Sequence, residues 1–456
     1  MKPVDVGTSL NDAAVAFIIV NPDTYPERFS ALVRNPQVRQ VVAEANASYH
    51  AWDEFRRHPI PEGFKHADVW YWVKLIRSSD RKWLPMKDTQ GRAFNYWLPA
   101  RFLAQLHRID THAGMAAVPE SETLRANRER YLVSSLMEEA IASSQLEGAS
   151  TTRRVAKEML RTQRAPRNLS ERMILNNYRT ISRIKELIQE PMSVEFLCEI
   201  QRQVTELTLK DASASGRLRL PAEDDIAVVA SDGDVVHQPP PASSLPERLK
   251  AFCDFANEEP DDTGLTFCHP IVTAIILHFW LGYERPFADG NGRTARAVFL
   301  WYVLKRGYWL MELLPISTII RKSPAQYGRA FILAEQDEND VSYFLAYNLR
   351  AINLALDSFM AYVRKKQQEL EKVRALTADS GGMNQRQQSV IAHALKNPGF
   401  AYTVRSHMTS QGISLQTARN DLSALAKRGL LEERREGKKT VWISPPDLAT
   451  RLKRPT

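Results

Sequence analysis

Cysteine is scarce in this 456-residue sequence, in which only Cys198, Cys253 and Cys268 occur. Their spacing matches neither a zinc-binding motif nor a disulfide framework, so we expect a reducing compartment and a cytoplasmic protein. No apolar run reaches the roughly 18 residues that a membrane helix requires, and no membrane partner is expected. The apolar stretch at 13–20 follows acidic residues and lacks a basic leader. We interpret it as a core segment, with a signal peptide as the alternative.

Acidic residues are few at the C-terminal end of the chain. Residues 383–456 hold 13 Lys and Arg against 5 Asp and Glu, which equals the whole net charge of +8. The preceding residues are therefore close to neutral. A basic excess confined to one segment predicts a polyanionic partner for that segment and not for the whole chain.

The sequence also lacks a P-loop, because it contains no G-x-x-x-x-G-K-[ST] pattern. A different glycine-containing loop stands at 283–296, with the sequence YERPFADGNGRTAR. Gly290, Asn291 and Gly292 all tolerate a positive φ, so successive backbone N–H groups can turn to one side. Such a bend, followed by a helix that begins near Arg293, predicts a nest for phosphate groups.

Charged side chains flank this bend. Arg293 and Arg296 lie three residues apart on the predicted helix, and guanidinium groups bond phosphate oxygens in pairs. Asp289, at the rim, can hold a Mg²⁺ ion that bridges the same oxygens. The loop therefore predicts a site for a di- or triphosphate with magnesium. A plain glycine turn with surface arginines is the alternative.

Helical periodicity dominates residues 125–375, so we expect a mainly α fold. The apolar segment at 269–284 predicts a buried central helix with Pro270 in its first turn. One β-hairpin is predicted at 226–238, with its turn at 232–233. In the N-terminal part we interpret the aromatic residues as packing residues, among them Trp52, Trp70 and Trp72.

The segment RPFADGNGRTAR resembles the signature of the Fic family, H-x-F-x-(D/E)-G-N-G-R-x-x-R. A second segment, SSQLEG at 143–148, is similar to the inhibitory motif of that family, (S/T)-x-x-x-E-(G/N), with Ser143, Glu147 and Gly148 in place. The hairpin is similar to the family's flap, which pairs with a target segment by strand addition. Seven fixed positions of the signature match, namely Phe287, Asp289, Gly290, Asn291, Gly292, Arg293 and Arg296.

The resemblance extends over about residues 125–345, and together with the Ser- and Gly-containing linker and the basic C-terminal segment it predicts four parts of the chain. These are an N-terminal helical extension at 1–122, a Fic-like helical core with the inhibitory helix and the hairpin flap at 123–376, a linker at 377–384, and a C-terminal module at 385–456. The resemblance also implies an activity, the transfer of AMP from ATP to a hydroxyl group of a protein target. The identity of that target is unknown from the sequence.

Residue roles also follow from the resemblance. Asp289 would hold Mg²⁺, while the glycine bend and Arg293 would hold the α and β phosphates. Arg296 would meet the γ phosphate, and Glu147 of the inhibitory motif would pair with Arg296 and prevent productive placement of ATP.

The signature's first residue, a histidine that accepts the proton of the attacking hydroxyl, is replaced here by Arg285. A guanidinium group stays charged and cannot accept that proton, so a general base is missing at the catalytic position. His278 and His269 are expected to be core or capping residues, and His237 on the flap is a weak substitute. Glu284 is expected to face away from the loop.

These residues are compatible with four functions. The first is slow AMP transfer, since loss of a general base costs about 10²–10⁴-fold in rate. The second is a regulator that binds nucleotide without transfer. The third is hydrolysis of a phosphodiester, such as removal of AMP, with a water molecule aligned by Glu147. In the fourth, the C-terminal module carries the main function and the core acts as its sensor.

The C-terminal module resembles a winged helix-turn-helix, with three helices followed by a two-stranded wing. Its third helix is capped by Ser414 and is expected to present base-contacting residues to DNA near its start. A role in protein contacts or homodimer formation is the alternative. The candidate DNA contacts are Gln416, Thr417, Arg419 and Asn420 on the helix, and Arg434, Arg435, Lys438 and Lys439 on the wing.

Overall fold

The computed structural model describes residues 5–7, 9, 25–114, 128–229, 235–261, 263, 266–376, 382–436 and 439–452. The fold is mostly helical, as predicted. The apolar stretch at 13–20 and the predicted hairpin turn at 232–233 lie outside the described residues. No helix in the described ranges combines the length and apolar character needed to cross a bilayer.

The chain divides into two compact units. The first comprises Met1–Ala117, Arg179–Met311 and Ile316–Asn353, and the second comprises Val118–Tyr178, Glu312–Pro315 and Leu354–Thr456. Each unit is made of three separate segments of the chain. The four contiguous parts predicted above divide the chain differently, and they stay a prediction.

The first unit contains the helices that surround the predicted loop. Two further helices, α8 (Leu169–Arg183) and α15 (Ser342–Leu376), have residues in both units. The helices of the first unit are α1 (Tyr25–Arg34), α2 (Pro36–Ser48), α3 (Trp52–Phe55), α4 (His66–Ser79), α5 (Ala100–Ala113), α9 (Val194–Thr205), α10 (Leu245–Asn257), α11 (Pro270–Glu284), α12 (Asn291–Lys305), α13 (Ile316–Ile320) and α14 (Pro324–Gln336).

Helix α11 forms the centre of the first unit, as its sequence predicts. It is apolar nearly all round, and all its residues are buried except Pro270 and Gly282, because other elements pack on every side. Pro270 occupies the first turn, where its missing N–H is not needed. The aromatic rings of Phe279, Phe331 and Phe344 pack against one another beside it.

Two antiparallel hairpins also belong to the first unit. Strands β3 (Val228–Val229) and β4 (Val235–His237) pair as predicted for the flap. Strands β1 (Lys82–Lys87) and β2 (Ala93–Tyr96) form a hairpin that the sequence analysis did not predict. Trp70 is buried in a separate apolar cluster with Trp52 and Trp72 packed around it, which confirms their packing role.

The second unit combines two helices from the middle of the chain with the basic C-terminal segment. Its sheet has the order β5–β7–β6 and is antiparallel throughout. Its elements are α6 (Arg128–Leu146), α7 (Arg153–Thr162), α16 (Gln385–Ala394), β5 (Ala401–Tyr402), α17 (Val404–Gln411), α18 (Leu415–Lys427), β6 (Glu432–Glu436), β7 (Lys439–Ile443) and α19 (Leu448–Arg451).

Two apolar clusters stabilise the second unit. Leu422 and Leu425 of α18 pack with Ile391 of α16 and Trp442 of β7. Residues of α6, α7 and α8 form the other cluster, and α17 packs directly against α6 and α7. The basic segment therefore folds onto the helix that carries the predicted inhibitory motif.

Candidate phosphate-binding site

The predicted loop connects the end of α11 to the start of α12. Helix α11 stops at Glu284, and Arg285 follows in the left-handed region with φ 42° and ψ 59°. The following proline disfavours a helical residue 285, as expected. The Arg285 amide still donates to the Leu281 carbonyl oxygen at 3.1 Å, so the turn begins without losing contact with the helix.

Glu284, just before the turn, faces the protein interior, as the sequence analysis expected. Its carboxylate is fully buried and accepts two bonds from Arg248 and one from the indole N–H of Trp280. Burial raises the pKa of Glu284, and the nearby Arg248 guanidinium opposes that rise. This carboxylate is therefore a structural group and not a substitute base.

The backbone of the bend combines one left-handed residue with the start of a helix. Only Gly290 of the three bend residues has a positive φ, +84°, while Asn291 and Gly292 already form the first turn of α12. The helix thus begins two residues before the predicted start at Arg293. All three residues tolerate a positive φ, but the helical hydrogen bond from the Thr294 amide to the Gly290 carbonyl oxygen fixes Asn291 and Gly292 in the first turn. Phosphate binding would depend on the helix N-terminus.

The Asn291 side chain acts as an internal brace of the loop. Its Oδ1 accepts from the Phe287 amide at 3.0 Å, and its Nδ2 donates to the Phe287 carbonyl oxygen at 2.7 Å. Both polar ends of the side-chain amide are thereby used by the loop's own backbone. Asn291 could contribute to phosphate binding through its backbone N–H.

Two neighbouring side chains that the sequence analysis missed also hold the loop. Arg219 donates from Nε to the Arg285 carbonyl oxygen at 2.9 Å, and its amide donates to the Pro286 carbonyl oxygen at 2.9 Å. Gln201, on α9, donates to the Asp289 carbonyl oxygen at 3.0 Å. Both lie more than 60 residues from the loop, so no local sequence pattern could have indicated them.

The two signature arginines lie on α12 and are largely buried. Arg293 is 1% exposed and donates to the Val204 carbonyl oxygen of α9 at 2.7 Å, which fastens α12 to α9. Arg296 is 9% exposed. Their roles as phosphate ligands stay predictions, and Arg293 has a structural role as well.

Asp289 is exposed at the rim of the bend, and its Oδ1 accepts from the Gly290 amide at 2.5 Å. A single carboxylate beside a helix N-terminus suits a Mg²⁺ ion that takes most of its other ligands from phosphate and water. The residues present therefore fit a magnesium–nucleotide complex in which Asp289 supplies the protein ligand.

None of the three histidines considered as substitute bases is placed for that role. His278 is buried, bonds the Tyr327 hydroxyl at 2.8 Å, and has its pKa lowered to about 3 by burial and then by Arg296. His269 caps α11 and contacts Asp110. His237 engages both ring nitrogens, with the Glu335 carboxylate at 2.7 Å and the Tyr283 carbonyl oxygen at 2.8 Å. This last contact ties the flap to the end of α11.

The predicted inhibitory motif lies at the end of α6 in the second unit. Ser143 is buried on the helix, whereas Glu147 follows the last helical residue and is exposed. Gly148 has a φ of +91° and ends the helix, as predicted. Pairing of Glu147 with Arg296 stays a prediction.

The candidate DNA contacts of the second unit lie on α18 and on the strands of the wing. Gln416, Arg419 and Asn420 are exposed, and Thr417 is half-buried beside the Ser414 cap. Arg434, Arg435 and Lys439 are exposed on the paired strands β6 and β7. Lys438 lies outside the described residues.

Comparison with known proteins agrees with the signature. Residues 191–303 match the model of the Fic/DOC family, and this range includes α9, the flap strands, α11, the loop and most of α12. The chain therefore contains a Fic/DOC-family domain.

Relatives named protein adenylyltransferase Fic share part of the chain. The one from Nematostella vectensis is 26% identical over 189 residues, which cover 41% of this chain and 39% of the relative. The one from Drosophila grimshawi is 25% identical over 234 residues, 50% of this chain and 46% of the relative. The matches span less than half of each relative. A crystal structure of a Fic family protein from Desulfovibrio desulfuricans G20 aligns with 77% of this chain and 98% of its own, at 19% identity and a TM-score of 0.47.

Proposed function

We propose that this chain binds ATP with Mg²⁺ at the loop between α11 and α12 and transfers AMP to a protein hydroxyl at a strongly reduced rate. One observation carries the proposal. A braced turn leads directly into the N-terminus of α12, and the residue at the head of that turn is Arg285, where the Fic signature has its histidine.

The loop's own groups account for nucleotide binding. The N-terminus of α12, with the positive end of its dipole, favours phosphate oxygens. Arg285 and Arg296 add cationic charge, and the bonds from Arg219, Gln201 and Asn291 fix the loop before the ligand arrives. When bound, Mg²⁺ would neutralise phosphate charge next to Asp289.

The transfer step forms a bond from the target's hydroxyl oxygen to the α phosphorus and breaks the bond to the departing pyrophosphate. The hydroxyl proton has to leave during this step. Arg285 cannot accept it, and the nearby histidines are buried, capping or bonded on both nitrogens. Solvent would take the proton instead, and the rate would fall by about 10²–10⁴-fold.

Glu147 is proposed as the inhibitory carboxylate, on the strength of its motif and its exposed position at the end of α6. Neutralising it should therefore improve productive binding of ATP. The test uses calorimetric titration of a non-hydrolysable ATP analogue with Mg²⁺ into the native chain and into Glu147→Gly. No binding to either protein would refute the proposal.

Catalysis is tested with labelled ATP and cell extract as the source of targets. Arg285→His in the Glu147→Gly background should raise labelling by about 10²–10⁴-fold over Glu147→Gly alone. Arg350→His, a change at an exposed arginine in the first unit, is the matched control and should leave labelling unchanged. Labelled protein that loses AMP only in the presence of native Glu147 would favour hydrolysis over transfer.

We propose DNA binding as a second function, carried by the exposed face of α18. Gln416, Arg419 and Asn420 are exposed together while Leu422 and Leu425 on the opposite face are buried, which is the arrangement of a recognition helix. Binding to mixed DNA should fall steeply with salt, and Arg419→Ala should weaken it. Absence of DNA binding at about 50 mM salt would contradict this function and favour a role in protein contacts.

A further inference from the structure

A cavity of about 230 Å³, partly open to solvent, is lined entirely by residues of the second unit, which does not contain the nucleotide loop. It is bounded by α6, α7, α15, α16, β5 and α17, so the basic C-terminal segment closes it against the helix that carries the predicted inhibitory motif. Its cationic lining residues are Lys157, Arg161 and Lys366, and the described residues that line it include no Asp or Glu.

The positive charge around this cavity exceeds the negative charge behind it. Glu138 bonds Lys157 at 2.6 Å but also bonds Arg153, so one carboxylate serves two cations. Glu369 likewise serves both Lys366, at 2.8 Å, and Lys396.

Arg161 adds a third cation. Its guanidinium donates to the Ser410 hydroxyl at 3.2 Å and lies over the Phe400 ring. An anion in the cavity would therefore meet an excess of cationic charge in a partly desolvated space, where such attraction is strong.

The other lining residues suit a ligand with a small apolar part. Val133, Met137 and Val390 supply aliphatic surface, and Tyr362 and Tyr402 supply aromatic rings. The volume of about 230 Å³ is below the roughly 300–1,000 Å³ of pockets for drug-sized ligands, so the part of a ligand that lies within the cavity has to be small. A single ring that carries one phosphate group meets both requirements.

We propose that this cavity binds a small phosphorylated ring compound, which acts as an effector of the chain. Val133, Ser134 and Met137 place the ligand against α6, and Met137 lies about two turns before Ser143 and about three before Glu147. A bound ligand would connect α6 to α15 and α17 and hold the inhibitory motif in place. The effector role rests on the proposed AMP transfer, whereas the binding site does not.

Binding is tested on the full chain with phenyl phosphate as the probe, and with phenol and inorganic phosphate as partial ligands. Phenyl phosphate should bind in low salt with a Kd below about 1 mM, and both partial ligands should bind more weakly. The double variant Arg161→Ala/Lys366→Ala should weaken binding at least about tenfold. Lys396→Ala removes a lysine that shares Glu369 but does not line the cavity, so it should retain binding.

Two results would contradict the proposal that the cavity is a binding site. One is the absence of saturable binding up to about 10 mM phenyl phosphate. The other is binding that survives the double variant in a protein whose circular dichroism and melting temperature match the native chain. If the double variant does not fold, Lys366→Met, which keeps the length of the side chain without its charge, replaces it and should also weaken binding.

The effector role is tested separately by labelling in the Arg285→His background. Phenyl phosphate should lower labelling by at least about fivefold there, and it should have no effect once Arg161 and Lys366 are also replaced. If phenyl phosphate leaves the amount of labelling unchanged, the effector role is refuted. If neither Arg285→His nor Arg285→His/Glu147→Gly shows any labelling, the proposed AMP transfer fails, while the calorimetric result still decides whether the cavity binds the anion.

Discussion

Arg248 bonds both carboxylate oxygens of Glu284, at 2.7 and 2.8 Å, immediately before the turn that opens the Fic signature. Glu284 has no exposed surface, so its charge depends on this guanidinium and on the Trp280 indole. This ion pair therefore holds in place the residue that immediately precedes Arg285. A single substitution can test that dependence.

Arg248→Met should destabilise the first unit by about 3–5 kcal/mol at neutral pH, because it leaves a buried carboxylate without its partner. The raised pKa of Glu284 gives the sign of the pH dependence. Stability is present below the ordinary pKa of a glutamate and is lost as pH rises through the raised value. The loss in the variant should therefore shrink as pH falls from 7 toward 4. Urea unfolding at several pH values measures this, with Lys250→Met at the exposed Asp254 pair as the control.

Gly290→Ala should destabilise the loop for two separable reasons. Its φ of +84° disfavours any side chain, and an added Cβ would lie 2.6 Å from Cγ2 of Thr205. Gly399→Ala is the matched control, because Gly399 has a φ of +77° with no atom within 4 Å of an added Cβ. We expect a loss of about 1–2 kcal/mol at Gly399 and a distinctly larger one at Gly290, measured by thermal unfolding. Equal losses would show that the Thr205 contact is readily relieved.

Asn291→Ala should lower both stability and nucleotide binding. The change leaves the buried amide and carbonyl of Phe287 without their partner, at a cost of about 1–3 kcal/mol for each buried group left unpaired. Asn420→Ala, at an exposed position of α18, should change the melting temperature little. If Asn291→Ala retained native stability and lost only ATP binding, the side chain would be a phosphate ligand and not a brace.

The sequence predicted the helices of the site closely and the loop's internal contacts poorly. Helix α11 was expected at 269–284 and lies within one residue of those limits, because a long apolar segment and Pro270 in the first turn define it. The bend was harder to predict, since glycine and asparagine permit a positive φ but do not require it. Only the hydrogen bonds around Gly290 determined which of the three residues adopts it.

Contacts between distant segments account for the other omissions. The β1–β2 hairpin contains Pro85 and an exposed Trp83, so its first strand lacks the usual alternating pattern. Arg219 and Gln201 reach the loop from other segments, and no local pattern signals such contacts. The position of the basic segment against α6 is equally long-range, and it created the cavity that the sequence could not indicate.

His278 should make the stability of the first unit depend on pH in the acid range. Burial, with a smaller contribution from Arg296, lowers its pKa to about 3, whereas an unfolded histidine titrates near 6.5. The unfolded chain binds the extra proton first, so the stability from neutral His278 is present above about pH 6.5 and is lost as pH falls toward 3.

The slope from this residue is at most about 1.4 kcal/mol per pH unit. His278→Phe should therefore reduce the pH dependence of unfolding between about pH 6.5 and 4 while keeping an aromatic ring against Phe344 and Phe331. The variant also loses the bond to Tyr327, which lowers stability at every pH and leaves the slope as the diagnostic quantity. His107→Phe, at an exposed position on α5, should keep the native slope. An unchanged slope in His278→Phe would mean that this histidine takes up a proton in the folded chain as readily as in the unfolded one.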